Sequence, residues 1–275
     1  MKTLSCGRFR LSLDRPLVMG IVNLTPDSFS GDGVGSDAAC AIAHAQAQIE
    51  AGADILDLGA ESSRPGAEPV SAREELDRLL PVLDALRDCG LPLSVDTVKP
   101  EVMRTALAAG ADMINDIAAL RAPGALEAVA ASPVAVCLMH MQGEPRTMQA
   151  DPHYGDVVEE VVGFLAERVA VCEAAGIGRD RIVIDPGFGF GKTLAHNLAL
   201  LRRLDRFAAM GLPVLAGISR KSMLGQITRK PVAERMPASI AAALLAVQKG
   251  AALVRVHDVA ATRDALAVLN AIEED

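Results

Sequence analysis

The chain has 275 residues, 51% hydrophobic and 23% charged, with a formal net charge of -8. That length and apolar content can bury a sizeable core, and the acidic balance argues against a general nucleic-acid binder, which presents a basic face, while leaving room for a local basic pocket. The five cysteines, Cys6, Cys40, Cys89, Cys137 and Cys172, are odd in number, scattered and free of any C-x-x-C pair, so buried reduced thiols are expected rather than disulfides or a structural zinc site.

The N-terminus, MKTLSCGRFR, is too polar for a secretory signal, and no apolar run is long enough to span a bilayer, so a cytoplasmic protein without membrane attachment is expected. Residues 4–13, LSCGRFRLSL, alternate around a glycine and predict a hairpin. A pattern then recurs at 50–59 (EAGADILDLG), 108–117 (AAGADMINDI) and 249–258 (KGAALVRVHD): a helix end, a Gly-Ala turn, and a short apolar run. Glycine suits the left-handed position that closes a helix, and an apolar run this short and continuous reads as a buried parallel strand. The template predicts strands at 17–23, 54–60, 92–97, 113–117, 134–140, 181–187, 213–219 and 253–258, with helical segments such as 72–87, 157–175, 238–249 and 260–272 between and after them. About thirty residues per unit is one βαβ step, and eight such units define a TIM (β/α)8 barrel with a short N-terminal β-hairpin. A doubly wound open sheet is the alternative. No linker or low-complexity stretch divides the chain, so residues 1–275 are read as a single domain.

Two early connections are long and rich in Gly, Ser and Asp: TPDSFSGDGVGSD at 25–37 and ESSRPGAEPVS at 61–71. Loops of this kind in a compact domain are expected to act as lids. A third, DPGFGFGK at 185–192, invites comparison with phosphate-binding loops. The P-loop pattern fails because its first glycine would fall on Pro186, and the dinucleotide fingerprint fails because its third would fall on Lys192.

Barrel active sites lie at the C-terminal ends of the strands. There the sequence places Asn23, Asp57, Glu61, Asp96, Asn115, His140, Asp185, Ser219 with Lys221, and Arg255 with His257. Capping of the next helix explains one such residue, and is favoured for Asp116, but not eight. Arg255 and His257, two apart on a strand, face the same way, as do Ser219 and Lys221, which suggests an anion pocket. Arg220, between them, points elsewhere, where a loop-anchoring ion pair is one reading. His44, His153 and His196 fall on helices or loops and read as surface residues.

Several stretches, in order, together resemble dihydropteroate synthase of bacterial folate synthesis: MGIVNLTPDSFS (19–30), ESSRPGA (61–67), SVDTVKPEVM (94–103), INDI (114–117), CLMHMQGEPRTMQ (137–149), DPGFGFGKT (185–193), GISRKSMLG (217–225) and RVHDV (255–259). The resemblance implies a pterin-binding barrel that joins p-aminobenzoate to 6-hydroxymethyl-7,8-dihydropterin diphosphate by an SN1-like, Mg2+-assisted route. It implies a pterin site of Asp96, Asn115, Met139, Asp185, Lys221 and Arg255, and a p-aminobenzoate site of Ser63, Arg64, Pro65, Phe190, Lys221 and Ser222. The pyrophosphate would meet Asn23, Arg64, Arg255 and His257, with Asn23 also the magnesium ligand and Asp57 close enough to assist. Catalysis would then rest on Asn23, Arg64, Asp96, Lys221, Arg255 and His257. On this reading the glycines of 185–192 allow close backbone approach, Phe190 packs on the benzoate ring, and Lys192 is expected in solvent. The partners are the two small-molecule substrates, with no nucleic acid, no membrane and a second copy as homodimer. The sequence departs from the family at Ser63, where threonine is common, at SGDG for SDGG (30–33), and at Val98, where Ser or Thr is common. A pterin-dependent methyltransferase or a non-catalytic pterin-binding barrel would share the pterin edge without needing the Arg-Val-His run or the ESSRPG loop.

Overall fold

Eight short, almost wholly buried strands form a parallel sheet in the computed structural model, which describes residues 2–25, 38–62 and 66–273. A hairpin of β1 (Thr3–Cys6) and β2 (Phe9–Ser12) precedes them. The sheet strands are β3 (Leu17–Asn23), β4 (Ile55–Gly59), β5 (Leu93–Asp96), β6 (Met113–Asp116), β7 (Ala135–Met139), β8 (Ile182–Asp185), β9 (Leu215–Ala216) and β10 (Leu253–Val256). Their order is β8-β7-β6-β5-β4-β3-β10-β9. A bridge between Ile184 and Val214, with the Ile184 N–H donating to the Pro213 carbonyl at 3.0 Å, brings β9 back to β8 and nearly closes the ring. This is a TIM barrel, and the open doubly wound alternative is excluded by that return.

Helices run between the strands and after the last: α1 (Ala38–Glu50), α2 (Ala72–Leu86), α3 (Pro100–Ala108), α4 (Ala125–Ala130), α5 (Val157–Ala174), α6 (Leu194–Arg202), α7 (Asp205–Ala208), α8 (Ser222–Thr228), α9 (Met236–Gln248) and α10 (Val259–Glu273). Their starts are written in the sequence. Ser71 caps α2 by accepting from the Glu74 N–H, and Asp156 caps α5 by accepting from Val158 and Glu159. Helix α9 begins two residues earlier than expected, because Pro237 suits the first turn, where no N–H is needed. Strand β9 is far shorter than expected, two residues against seven. At Gly217 the chain leaves the ladder for the loop that carries Ser219 and Lys221.

Strand periodicity sorts the core into two layers. Val18, Leu56, Val95, Ile114, Val136, Ile184 and Val254 point outward and pack against the helices. Leu17, Met19, Ile55, Met113, Cys137, Val183, Leu215 and Leu253 fill the lower interior together with Leu4 and Cys6 of β1, so the hairpin plugs the barrel floor. Each such fully buried side chain contributes about 1.5–3 kcal/mol. The cysteines are all unpaired. Cys6, Cys137 and Cys172 are buried as expected, but Cys40 is exposed on α1. Among the described residues no helix is long and apolar enough to cross a membrane.

Candidate active site

The interior changes character toward the C-terminal ends of the strands. Asn23 lies opposite Gly59, Gly59 opposite Asp96, and Asp96 opposite Asn115, so three polar side chains share one level of the barrel. One inward step below lie Asp57 and Ser94, themselves register partners. On the far side Met139 is the partner of Asp185.

Asp57 is the hub of this level. It is fully buried and accepts from Ser94 Oγ at 2.6 Å, Asn115 Nδ2 at 3.1 Å and Arg255 Nε at 2.6 Å. Arg255 also donates from Nη2 to Asp96 Oδ2 at 3.0 Å, so one guanidinium edge joins β10 to β4 and β5 across the barrel. Burial opposes the arginine's charge, but Asp57 and Asp96 outweigh it and raise its pKa. Asp96 moves the other way: burial pushes it up to about 7 against the pull of Arg255, with Asp57 adding repulsion. The sequence reading gave Asp57 only an assisting part. The structure makes it the residue that fixes Arg255 and Asn115.

Facing this network are Asp185 and Lys221. Burial raises the Asp185 carboxyl against the opposing charge of Lys221 and a bond from the Gly187 N–H at 2.7 Å. Lys221 is lowered by burial to about 8, with Asp185 holding it up and Arg255 pushing it down. Its ammonium donates to the Phe188 carbonyl at 2.5 Å and lies 4.6 Å from the centre of the Phe190 ring. Gly217 lies among them: a Cβ on it would sit in ordinary contact, 3.8 Å from both Asp185 Oδ2 and Lys221 Nζ and 3.9 Å from Arg255 Cβ. Above them Ile117, Met139, Met141 and Met148, with Val98 and Phe190 against them, form an apolar shelf. A flat ring that is polar at its edge and apolar on its face matches such a slot.

His257 is held by Ser219. Ser219 Oγ accepts from the His257 N–H at 3.2 Å and lies 3.0 Å from Nδ1. The hydroxyl has one proton to give and a second lone pair to accept with, so it holds the ring at Nδ1 in either tautomer. Arg220 turns away, with a left-handed backbone, and pairs through both Nε (3.0 Å) and Nη2 with Asp258, the loop anchor that was one expectation for it. Asp116 accepts from the Ala118 and Leu120 N–H groups at 2.7 and 2.8 Å and so ties the turn after β6; the cap expected of it on the next helix is not formed, because α4 starts at Ala125 behind Gly124.

Lys192 is a correction. Expected in solvent, it is 3% exposed, and its Nζ reaches the Gly187 and Phe190 carbonyls, each at 2.9 Å, and His140 Nδ1 at 3.0 Å. Burial lowers it to about 7, against the pull of Asp185. The glycine run curls back so tightly that its strand-end carbonyls turn inward, and this buried amine satisfies them. Burial, followed by the charge of Lys192, drives His140 down to about 3, so its imidazole is neutral. Phe190 is half-buried at the mouth, and Ser222 is exposed at the first turn of α8. Ser222 lines a cleft of ≈ 600 Å³ shared with Gln149, Lys192, Asn197 and Met223. Ser63, Arg64, Pro65 and the first lid from residue 26 to 37 lie outside the described residues.

One group escaped the sequence reading. Lys99 donates to Glu61 Oε2 at 2.6 Å and to Glu75 Oε2 at 2.7 Å, and Glu61 Oε1 accepts from the Val70 N–H at 3.0 Å. The triad clasps both ends of the 61–70 loop. Only the charge of Glu61 at a strand end hinted at it.

Barrel, polar mouth and apolar shelf define a (β/α)8 enzyme built to read a flat polar heterocycle beside an anion. The "Pterin binding enzyme" family model matches residues 19–257. Dihydropteroate synthase of Escherichia coli K12 is 50% identical over 262 residues, covering 95% of this chain and 93% of that protein. That of Neisseria meningitidis serogroup B is 53% identical over 273 residues, covering 97% and 96%. The Xanthomonas albilineans dihydropteroate synthase solved with 4-aminobenzoic acid superposes with a TM-score of 0.93 at 55% identity, covering 99% of this chain and 98% of that one. The Burkholderia cenocepacia synthase solved with 7,8-dihydropteroate gives 0.91 at 54% identity, covering 99% and 96%. The chain belongs to the pterin-binding enzymes and, within them, to the dihydropteroate synthases, which are transferases.

Proposed function

We infer that this site condenses p-aminobenzoate with 6-hydroxymethyl-7,8-dihydropterin diphosphate to give 7,8-dihydropteroate and pyrophosphate. The observation that carries the reading is the convergence of Asp96, Asn115, Asp185, Lys221 and Arg255 on one slot capped by a methionine shelf. The relatives solved with 4-aminobenzoic acid and with 7,8-dihydropteroate support it.

Asp185 accepts from the ring N–H and 2-amino group, Asp96 and Asn115 meet the remaining edge, and Lys221 donates to the ring oxygen and nitrogen. Lys221 must then leave the Phe188 carbonyl that holds it in this structure. Met139 and Arg255 flank the ring plane, Arg255 held in place by Asp57. Asn23, Arg64, Arg255 and His257 take the pyrophosphate, the His257 ring being held at Nδ1 by Ser219. Ser63, Arg64, Pro65, Phe190, Lys221 and Ser222 take p-aminobenzoate.

The C–O bond to pyrophosphate breaks first, and its electron pair leaves with the oxygen. The methylene cation is delocalised into the electron-rich dihydropterin, in a setting that Asp96 and Asp185 make negative. The neutral amine of p-aminobenzoate then attacks the methylene carbon and afterwards loses a proton, so no strong base is needed. Mg2+, when bound, supplies Lewis-acid neutralisation of the leaving pyrophosphate. The donor set fits it: Asn23 Oδ1 and Asp96 Oδ2 both lie 3.9 Å from the point a Cβ of Gly59 would occupy. Among the described residues no dense carboxylate or histidine cage exists, as suits an ion held by few protein oxygens plus substrate phosphate. The protein works in the cytoplasm as a homodimer, with an apolar face on α9 and α10 as the contact.

Pyrophosphate release tests the reading. Release that requires p-aminobenzoate, with dihydropteroate formed in equal amount, supports it; tight pterin binding without release overturns it.

A further inference from the structure

The glycine run after β8 is braced at almost every peptide by side chains, its own Lys192 among them. The Gly187 and Phe190 carbonyls accept from Lys192 Nζ, each at 2.9 Å, and the Phe188 carbonyl accepts from Lys221 at 2.5 Å. The Gly189 carbonyl accepts from Gln149, and the Gly189 N–H donates to Asn197 Oδ1 at 2.7 Å. The Gly191 carbonyl accepts from the Tyr154 hydroxyl at 2.8 Å. Such bracing is far more than a tight turn needs. Gly187, Gly189 and Gly191 all have positive φ, +72°, +80° and +61°, so the backbone itself is already confined.

At the centre of the braces is one buried amine, that of Lys192. Lys192 Nζ meets the two carbonyls and His140 Nδ1 within 3.0 Å, with the His140 carbonyl farther off at 3.4 Å. An acceptor role for Nδ1 requires His140 to carry its proton on Nε2, which suits its neutral, buried setting against Phe164. A neutral amine, the form that burial favours, satisfies the same three partners by accepting Nδ1–H from the other His140 tautomer, so the knot holds in either protonation state. The bond to the Phe190 carbonyl is the consequential one. It sets where the Phe190 ring stands on the methionine shelf and beneath Lys221, 4.6 Å from the ring centre.

We propose that Lys192, through His140 and the Gly187 and Phe190 carbonyls, is a positioning residue for the p-aminobenzoate wall, acting on the second substrate and not on the pterin. It touches neither substrate. The inference rests on the reading above that Phe190 packs on the benzoate ring. Asp185, the pterin-reading group, is held by β8 and by its bond from the Gly187 N–H and meets Lys192 only through charge and the shared Gly187 peptide, so loss of the Lys192 knot displaces the Phe190 wall more than the pterin edge.

The test compares Lys192→Met with Phe190→Ala in the full-length enzyme. For Lys192→Met the KM for p-aminobenzoate is expected to rise about tenfold, while the Kd for dihydropterin diphosphate, measured by calorimetry, stays within about twofold. Inhibition by a sulfonamide, which occupies the same pocket, should weaken in parallel. An unchanged KM for p-aminobenzoate in the folded variant, or equal weakening of both substrates, would overturn the proposal. Should Lys192→Met fail to fold, His140→Phe decides by the same readout, since it removes one partner of the Lys192 amine, and a rise of about threefold is expected. If Phe190→Ala leaves the p-aminobenzoate KM unchanged, the p-aminobenzoate reading fails and this inference with it. If Phe190→Ala raises that KM and Lys192→Met does not, the positioning inference alone fails.

Discussion

At the scale of single residues, charge is handled by pairing and not by exposure. Asp57 is fully buried yet accepts three bonds, and Arg255 is its charge partner. Removing one member of a buried pair leaves the other uncompensated, at about 3–5 kcal/mol. Asp57→Ala should therefore lower the denaturant midpoint and also free Arg255 and Asn115, so that the KM for the pterin diphosphate rises while that for p-aminobenzoate moves less. Lys221 makes a pH prediction. Burial lowers it to about 8, so it is an ammonium donor below that value and a weaker neutral donor above it. Pterin affinity should fall as pH rises through about 8, seen as a basic limb in kcat/KM for the pterin diphosphate. Lys221→Arg, which keeps its charge, should be slower but lack that limb. A limb that persists in the arginine variant would assign it to another group.

At the scale of elements, function depends on how loops are tied to rigid strands. The run after β8 shows why glycine is required there. At Gly187 the φ of +72° disfavours any side chain, and a Cβ would fall 1.9 Å from the His140 carbonyl oxygen. Gly176, after α5, has a similar φ of +88° but open space around it. Gly176→Ala should cost only the left-handed backbone term, about 1–2 kcal/mol, while Gly187→Ala adds an overpacking term of about 1–3 kcal/mol and separates β8 from the loop after β7. Urea unfolding of the two variants measures the difference. The loop after β4 is tied differently, by the Lys99 clasp on Glu61 and buried Glu75. Lys99→Met strands a carboxylate that is 1% exposed, so a loss of about 3 kcal/mol and a raised KM for p-aminobenzoate are expected. Retained stability and unaltered KM would show the clasp to be dispensable.

At the scale of the whole molecule, the barrel divides labour between its ends. The floor is apolar and plugged by the hairpin, and the mouth is polar, so substitutions at Leu4 or Cys6 act on stability and those at the mouth on chemistry. On the wall of helices, Leu245, Val268 and Ile272 of α9 and α10 are 51%, 63% and 70% exposed, and Ile227 of α8 and Val232 after it are exposed as well. Scattered exposed apolar residues are ordinary, but three on two neighbouring helices suit a partner surface. Sedimentation velocity should give twice the chain mass for the natural protein. Leu245→Glu with Val268→Glu should shift it toward one chain with the barrel still folded; an unshifted dimer would place the contact elsewhere.

What was legible in the sequence was everything that repeats or alternates. Gly-Ala turns and short apolar runs located β3 through β8 and β10 to within two residues at either end, because burial on both faces of a parallel strand demands unbroken apolar residues. Strand periodicity also placed Arg255 with His257, and the loop-anchor reading of Arg220 stood, since its partner Asp258 lies just past an adjacent strand, whereas Asp116 ties a turn instead of the next helix. Tertiary structure alone decided which charges meet. Asp57 and Arg255 are 198 residues apart, Lys192 and His140 are 52 apart, and nothing local distinguishes a lysine that will be buried from one that will be solvated. A lysine beside glycines looks exposed until the loop folds over it, because its burial depends on where the freed carbonyls point, and that direction exists only once the barrel has closed.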